Sequence, residues 1–103
     1  MPYLAGRIAE MTGKGKDMPK LAPQGVEYEL KRLYYEIALN ANPVSMAALM
    51  KFVPLEQVLF GTDYPFFTIE ATSDPMGKLG LSAAELRAIS RENVGKLLPR
   101  WKA

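Results

Sequence analysis

Residues 58–66 read VLFGTDYPF, and this stretch is the strongest indication of the fold class in the sequence. The run from Val58 to Phe60 is continuously apolar rather than alternating, which is typical of a parallel strand buried on both faces. Gly61 and Pro65 bound the run, and Asp63 comes just past the predicted strand end. In parallel α/β folds, ligands bind and catalytic groups project at that end. The segment therefore predicts a buried strand that leads into a candidate site.

Asp63 has two interpretations that its spacing alone does not separate. A carboxylate at a strand end can ligate a divalent metal or take a proton from a metal-bound water. Alternatively, Asp63 caps a turn before Tyr64 and Pro65. Both interpretations stay open on the residues alone.

The chain just before this stretch predicts a βαβ unit. Residues 33–37, LYYEI, are rich in strand-forming side chains. Asn42 and Pro43 are a helix cap and a first helical residue, and the apolar spacing of the following residues predicts a helix from Pro43 to about Val53. Strands at about 33–37 and 57–61 would then be parallel neighbours with a right-handed crossover, and Asp63 would lie at their carboxyl end.

The flanking segments are predicted to be mostly helical. On the N-terminal side we expect a helix over 2–11, a loop over 12–25 and one or two helical turns within 26–32. On the C-terminal side, Asp74-Pro75 predicts a helix start and Gly80 a stop.

A further helical region is predicted after Gly80. Ser82 and Glu85 have capping-box spacing. The apolar face that follows runs to Pro99, and Trp101 is expected to cover an edge of the core.

Two strands are too few to form a covered parallel sheet by themselves. Parallel sheets occur almost only where both faces are covered and further strands extend them. We therefore expect either part of a larger fold or an oligomer that associates through exposed strand edges.

Composition excludes several classes of function. The chain has 103 residues, a net charge of +2, no Cys and no His. This excludes a disulfide framework, a thiol nucleophile, a Ser-His-Asp triad and a His-ligated metal site supplied by this chain alone. The length predicts a single small domain. The small charge and the missing recognition motifs argue against a nucleic-acid partner.

No membrane partner is expected either, since no stretch approaches the roughly 18 apolar residues of a membrane span. No signal peptide is visible, so a cytoplasmic location is expected.

Residues 59–66 resemble the last-strand motif of the amidohydrolase-related family. This family comprises metal-dependent hydrolases and decarboxylases on a TIM barrel, including the aminocarboxymuconate-semialdehyde decarboxylase-like enzymes. At Glu36 the family more often has Asp, and Asn93 matches the Asn of its terminal helix. The other segments that resemble the family, in the same order, are residues 2–8, 33–38, 43–53, 79–89 and 93–98.

The resemblance implies that residues 1–103 are a single C-terminal fragment of such a barrel, an α/β fold that holds its last two parallel strands with flanking and C-terminal helices. Asp63 would be the catalytic aspartate and a metal ligand, while Tyr64, Pro65 and Phe66 would shape the substrate pocket. The intact enzymes use a divalent metal, with zinc expected, and a small-molecule substrate. Their metal-binding His residues lie on strands that are absent here.

The resemblance therefore implies a hydrolase or non-oxidative decarboxylase that is inactive as this chain alone and binds no cofactor by itself. Two alternatives stand beside it. One is a non-catalytic interaction or oligomerisation module derived from the same fold. The other is a stand-alone enzyme that uses Asp63, Glu36 and Tyr64.

Overall fold

The structure is a computed structural model that describes residues 2–101. It divides into two compact units, of which the first ends at Leu33 and the second begins at Tyr34. Each unit has its own internal packing and is described by itself.

Residues 2–33, the described part of the first unit, form three helices. They are α1 (Pro2–Thr12), α2 (Met18–Leu21) and α3 (Val26–Leu30), and α1 lies against α3. The predictions of helix at 2–11 and within 26–32 are confirmed. The prediction of a loop throughout 12–25 is wrong, because α2 forms inside it with Pro19 in its first turn, where a missing N–H costs little.

The second unit contains the predicted parallel strands. Strand β1 (Tyr35–Glu36) pairs with β2 (Val58–Leu59), and Tyr35 lies opposite Val58. The parallel pairing is confirmed, but each strand has two residues instead of the five predicted. One reason is that the Phe60 amide donates to the carbonyl of Ile89 in a helical segment, 3.1 Å away, and not to another strand.

Helix α4 (Pro43–Phe52) connects the strands as predicted. The Asn42 side chain accepts a hydrogen bond of 2.9 Å from the Ser45 amide, which caps the helix. Met46 and Leu49 are buried on one face of the helix. Pro54 follows its end, so the sequence signals at both ends of α4 are confirmed.

Helix α5 (Glu70–Gly77) starts earlier than predicted. The expected start at Asp74-Pro75 is wrong, since Pro75 lies inside the helix near its end. A tertiary contact explains the difference. The buried Thr72 hydroxyl accepts a hydrogen bond of 3.2 Å from the Leu39 amide, which places the turns before Pro75 against the β1–α4 loop.

A nearly continuous helical run closes the second unit. It consists of α6 (Ala83–Arg87), a π-helical turn (Ala88–Glu92) and α7 (Asn93–Leu97). The predicted capping box is confirmed, with the Glu85 amide donating to Ser82 Oγ and the Ser82 amide donating to Glu85 Oε2.

The expectation that Trp101 covers the core is wrong. This residue lies in a separate 3₁₀ turn (Pro99–Trp101) after the helical run has ended, and it is 68% exposed.

The core of the second unit lies between the strands and the helices. Asn93 and Thr72 are the buried polar residues of the described chain. The apolar core is formed by α4, β2, α5 and the π-helical turn, together with the loop after β1 and the end of α4. Its buried members are Ile37, Ala41, Met46, Leu49, Val53, Val58, Met76 and Ile89. Among the helices formed by residues 2–101, none combines the length and apolarity that crossing a bilayer requires.

Asn93 joins the helical run to β2. Its Nδ2 donates to the carbonyl of Leu55 at 2.7 Å and to the carbonyl of Val58 at 2.8 Å. On the opposite edge of β2, the Leu59 carbonyl accepts from the Ile37 amide of the β1 segment. The helical run therefore satisfies polar groups of β2 on the edge that faces away from β1.

We expect Asn93→Ala to lower the free energy of unfolding by about 2–4 kcal/mol, because the part-buried Leu55 carbonyl and the buried Val58 carbonyl lose their donor. The control is Asn40→Ala, since the exposed Asn40 side chain donates one local hydrogen bond, to the Ala38 carbonyl. For Asn40→Ala, the decrease in the free energy of unfolding should stay below about 1 kcal/mol. Urea unfolding of the two variants measures both values, and equal losses would contradict the bridging role of Asn93.

Candidate functional site

Asp63 lies four residues beyond β2, in a tight turn after the carboxyl end of the strand. Its φ of 55° is in the left-handed region, which Asp adopts more readily than most residues. Its carbonyl accepts from the amides of Phe66 and Phe67 at 2.9 and 3.3 Å. The turn is thus held by the backbone of Asp63.

The Asp63 side chain is exposed. Within residues 2–101 its carboxylate makes no hydrogen bond or ion pair. Because the backbone of Asp63 forms the turn, its carboxylate remains available for a ligand. The turn is held by the Asp63 carbonyl and not by a cap from its side chain, and the interpretation of Asp63 as a metal ligand or proton acceptor stays a prediction.

Glu36 has a different role from Asp63, although it also lies at the carboxyl end of its strand. Its Oε2 accepts a hydrogen bond of 2.7 Å from the Ala38 amide, two residues later. The same oxygen lies directly against Gly61, where an added Cβ would overlap it. Glu36 is therefore engaged by the backbone, and Gly61 provides the space for its carboxylate.

The aromatic residues after Asp63 form an exposed loop. Tyr64 and Phe66 are 71% and 88% exposed, and the Tyr64–Pro65 peptide bond is cis. The cavity lined by Arg91 and Trp101 and the cavity lined by Met18 and Leu33 do not include Asp63, Tyr64, Pro65 or Phe66. The assignment of Tyr64, Pro65 and Phe66 to a substrate pocket therefore stays a prediction.

Thr72 and Leu39 form a tertiary hydrogen bond that was not expected from the sequence. Leu39 has a φ of 56°, and its amide donates to the Thr72 hydroxyl. This contact joins residues 33 positions apart, so no local pattern reveals it. In β1, where the Tyr35 ring lies edge-on to Phe52, burial raises the pKa of the Tyr35 phenol above its ordinary value.

The described residues do not by themselves fit a metal ion. No group of three or more His, Cys, Asp or Glu side chains comes together within residues 2–101. A structural zinc site needs four ligands, and a catalytic zinc site needs about three protein ligands. Of the two carboxylates at this end, Glu36 is engaged by the Ala38 amide, so Asp63 is the one that remains for a metal held mainly by other residues.

Comparison with known proteins gives a partial similarity. No model of a known protein family matches the chain. The chain is 32% identical over 65 residues to 6-methylsalicylic acid decarboxylase of Penicillium expansum. The match covers 63% of this chain and 20% of that enzyme, so the chain spans about a fifth of the relative's length. The chain is thus similar to part of a decarboxylase.

We expect Gly61→Ala to lower the free energy of unfolding by about 1–2 kcal/mol, because the new Cβ displaces the Glu36 carboxylate from the Ala38 amide. In a Glu36→Ala background the same substitution should cost distinctly less. Denaturant unfolding of the four proteins in this double-mutant cycle measures the difference.

Gly77→Ala is the matched control for this cycle. A Cβ at Gly77 meets nothing within 4 Å, and the residue is helical. This substitution should be neutral or stabilising by up to about 1 kcal/mol. An equal cost of Gly61→Ala with and without the Glu36 carboxylate would contradict the role of that contact.

Proposed function

We propose that this chain is the C-terminal part of a decarboxylase of the amidohydrolase-related type, in which β1 and β2 are the last two strands of a TIM barrel. The observation that carries the proposal is Asp63 just past the carboxyl end of a parallel strand, in a chain similar to part of a decarboxylase. In barrels of this kind, catalytic groups project from that end. The same similarity favours decarboxylation over hydrolysis.

Asp63 is the group of this chain that we assign to the reaction. In a non-oxidative decarboxylation the bond to the carboxyl carbon breaks, carbon dioxide leaves with that carbon, and the carbon left behind takes up a proton. A carboxyl group next to the substrate can deliver this proton or hold the substrate in place. Asp63 suits this role because its side chain is exposed and makes no hydrogen bond or ion pair within residues 2–101.

The remaining strands and the metal ligands of such an enzyme have to come from outside these residues. Strand β1 has one strand neighbour among residues 2–101, so its other edge is the place where a preceding barrel strand would add. On β2, a further strand would have to replace the Ile89 carbonyl and the Asn93 side chain, which already bond that edge.

The occupied edge of β2 is also the observation that favours the second candidate function, a non-catalytic interaction module. A strand whose outer polar groups are bonded within its own chain needs no further strand on that side. Under this alternative the edge of β1 that faces away from β2 would pair with a partner or with a second copy.

Sequencing the DNA upstream of the Met1 codon and translating all frames separates the two candidates. The proposal expects strand-rich sequence with His ligands, in a continuous or frameshifted reading frame. Expressed as one protein with residues 1–103, it should release carbon dioxide from 6-methylsalicylate or a related hydroxybenzoate. Upstream DNA that encodes nothing of this kind would overturn the decarboxylase proposal.

In that joined protein, Asp63→Asn should lower kcat/KM roughly 10²–10⁴-fold, the range for loss of a general acid or base. The matched control is Asp74→Asn, which changes another exposed Asp, in α5, and should leave the rate unchanged. Steady-state release of carbon dioxide measures both. Full activity of the Asp63→Asn protein would exclude a chemical role for Asp63.

A further inference from the structure

A concave site lies at the far end of the helical run, and none of its lining residues belongs to the Asp63 turn. It has a volume of about 390 Å³ and is lined by the π-helical turn, α7 and Trp101. Small-molecule sites commonly have volumes of roughly 300–1,000 Å³. The cavity is thus large enough for a ligand of one ring.

The charged residues that line the cavity favour an anion. Arg91 and Lys96 are exposed, and neither makes an ion pair within the described chain. The opposing charge in the lining is Glu92, whose carboxylate lies 3.8 Å from Arg87 Nε and is partly compensated by it. The lining therefore has a net positive charge, and a guanidinium group binds a carboxylate well through paired hydrogen bonds.

Trp101 adds a planar apolar wall to the same cavity. The indole is 68% exposed, and the Arg100 guanidinium carbon lies 5.8 Å from the centroid of its ring. Covering exposed aromatic surface with another ring is favourable through area burial and ring stacking. A ligand with both an aromatic ring and a negative charge would use the indole and the cations together.

We infer that this cavity binds a small aromatic carboxylate, with its ring against Trp101 and its carboxylate between Arg91 and Lys96. The inference does not depend on the proposed function, since it involves no residue of the Asp63 turn and no decarboxylation. It concerns the 103-residue chain as it stands.

Trp101 makes the test direct, because it is the single tryptophan in the sequence. Benzoate is titrated into the full chain while tryptophan fluorescence is excited where tyrosine does not absorb. We expect a saturable change in emission. Acetate, which keeps the charge without the ring, and benzamide, which keeps the ring without the charge, should each bind at least about tenfold more weakly.

The cations are tested with two double variants of equal net charge. Arg91→Gln with Lys96→Gln should weaken benzoate binding by about tenfold or more. The control is Lys51→Gln with Lys78→Gln, which removes two exposed charges outside the cavity and should leave binding unchanged.

Circular dichroism checks that both double variants are folded, and titration calorimetry measures the affinities independently of the indole. A wild-type chain with no saturable response to benzoate would overturn the inference. So would equal affinities of the two double variants, or equal binding of benzoate and benzamide.

Discussion

The second unit depends most on the buried carboxamide of Asn93. One side-chain nitrogen donates to the carbonyls of Leu55 and Val58, so a single group sets where the helical run meets the start of β2. Asn93 Oδ1 is itself buried without a hydrogen-bond partner in the described chain, which costs about 1–3 kcal/mol. The two hydrogen bonds that Nδ2 donates offset that cost, because without them the carbonyls of Leu55 and Val58 would also lose their donor.

The position of β2 in turn decides the geometry of its carboxyl end. Once Leu59 pairs with the β1 segment, the Glu36 carboxylate lies in the space beside Gly61 and accepts from the Ala38 amide. The chain then turns at Asp63 with a left-handed backbone. Two carboxylates near neighbouring strand ends therefore differ in availability, because backbone contacts engage Glu36 and leave the side chain of Asp63 exposed.

The Asp63 turn and the cavity beside Trp101 thus lie in different parts of the second unit. The Asp63 turn offers one exposed carboxylate and exposed aromatic side chains. The far end of the helical run offers a cavity with cations and an indole, and no residue of the Asp63 turn lines it. The first arrangement is open to solvent, whereas the second is concave.

The sequence by itself determined the elements whose signals are local. Asn42 with Pro43 marks the start of α4, and Ser82 with Glu85 forms the capping box, because a cap needs only residues within one turn. The apolar run at Val58 predicted a strand, and the parallel pairing followed from the order of the elements. The place of Asp63 just past that strand also followed from local spacing.

Only the tertiary structure decided the features that join distant residues. The Thr72–Leu39 hydrogen bond extends α5 back to Glu70, and the two Asn93 hydrogen bonds span 35 and 38 positions. The contact of Glu36 with Gly61 likewise requires the strands to be paired first. Such contacts depend on which side chains the folded chain brings together, and no periodicity or cap along the sequence encodes them.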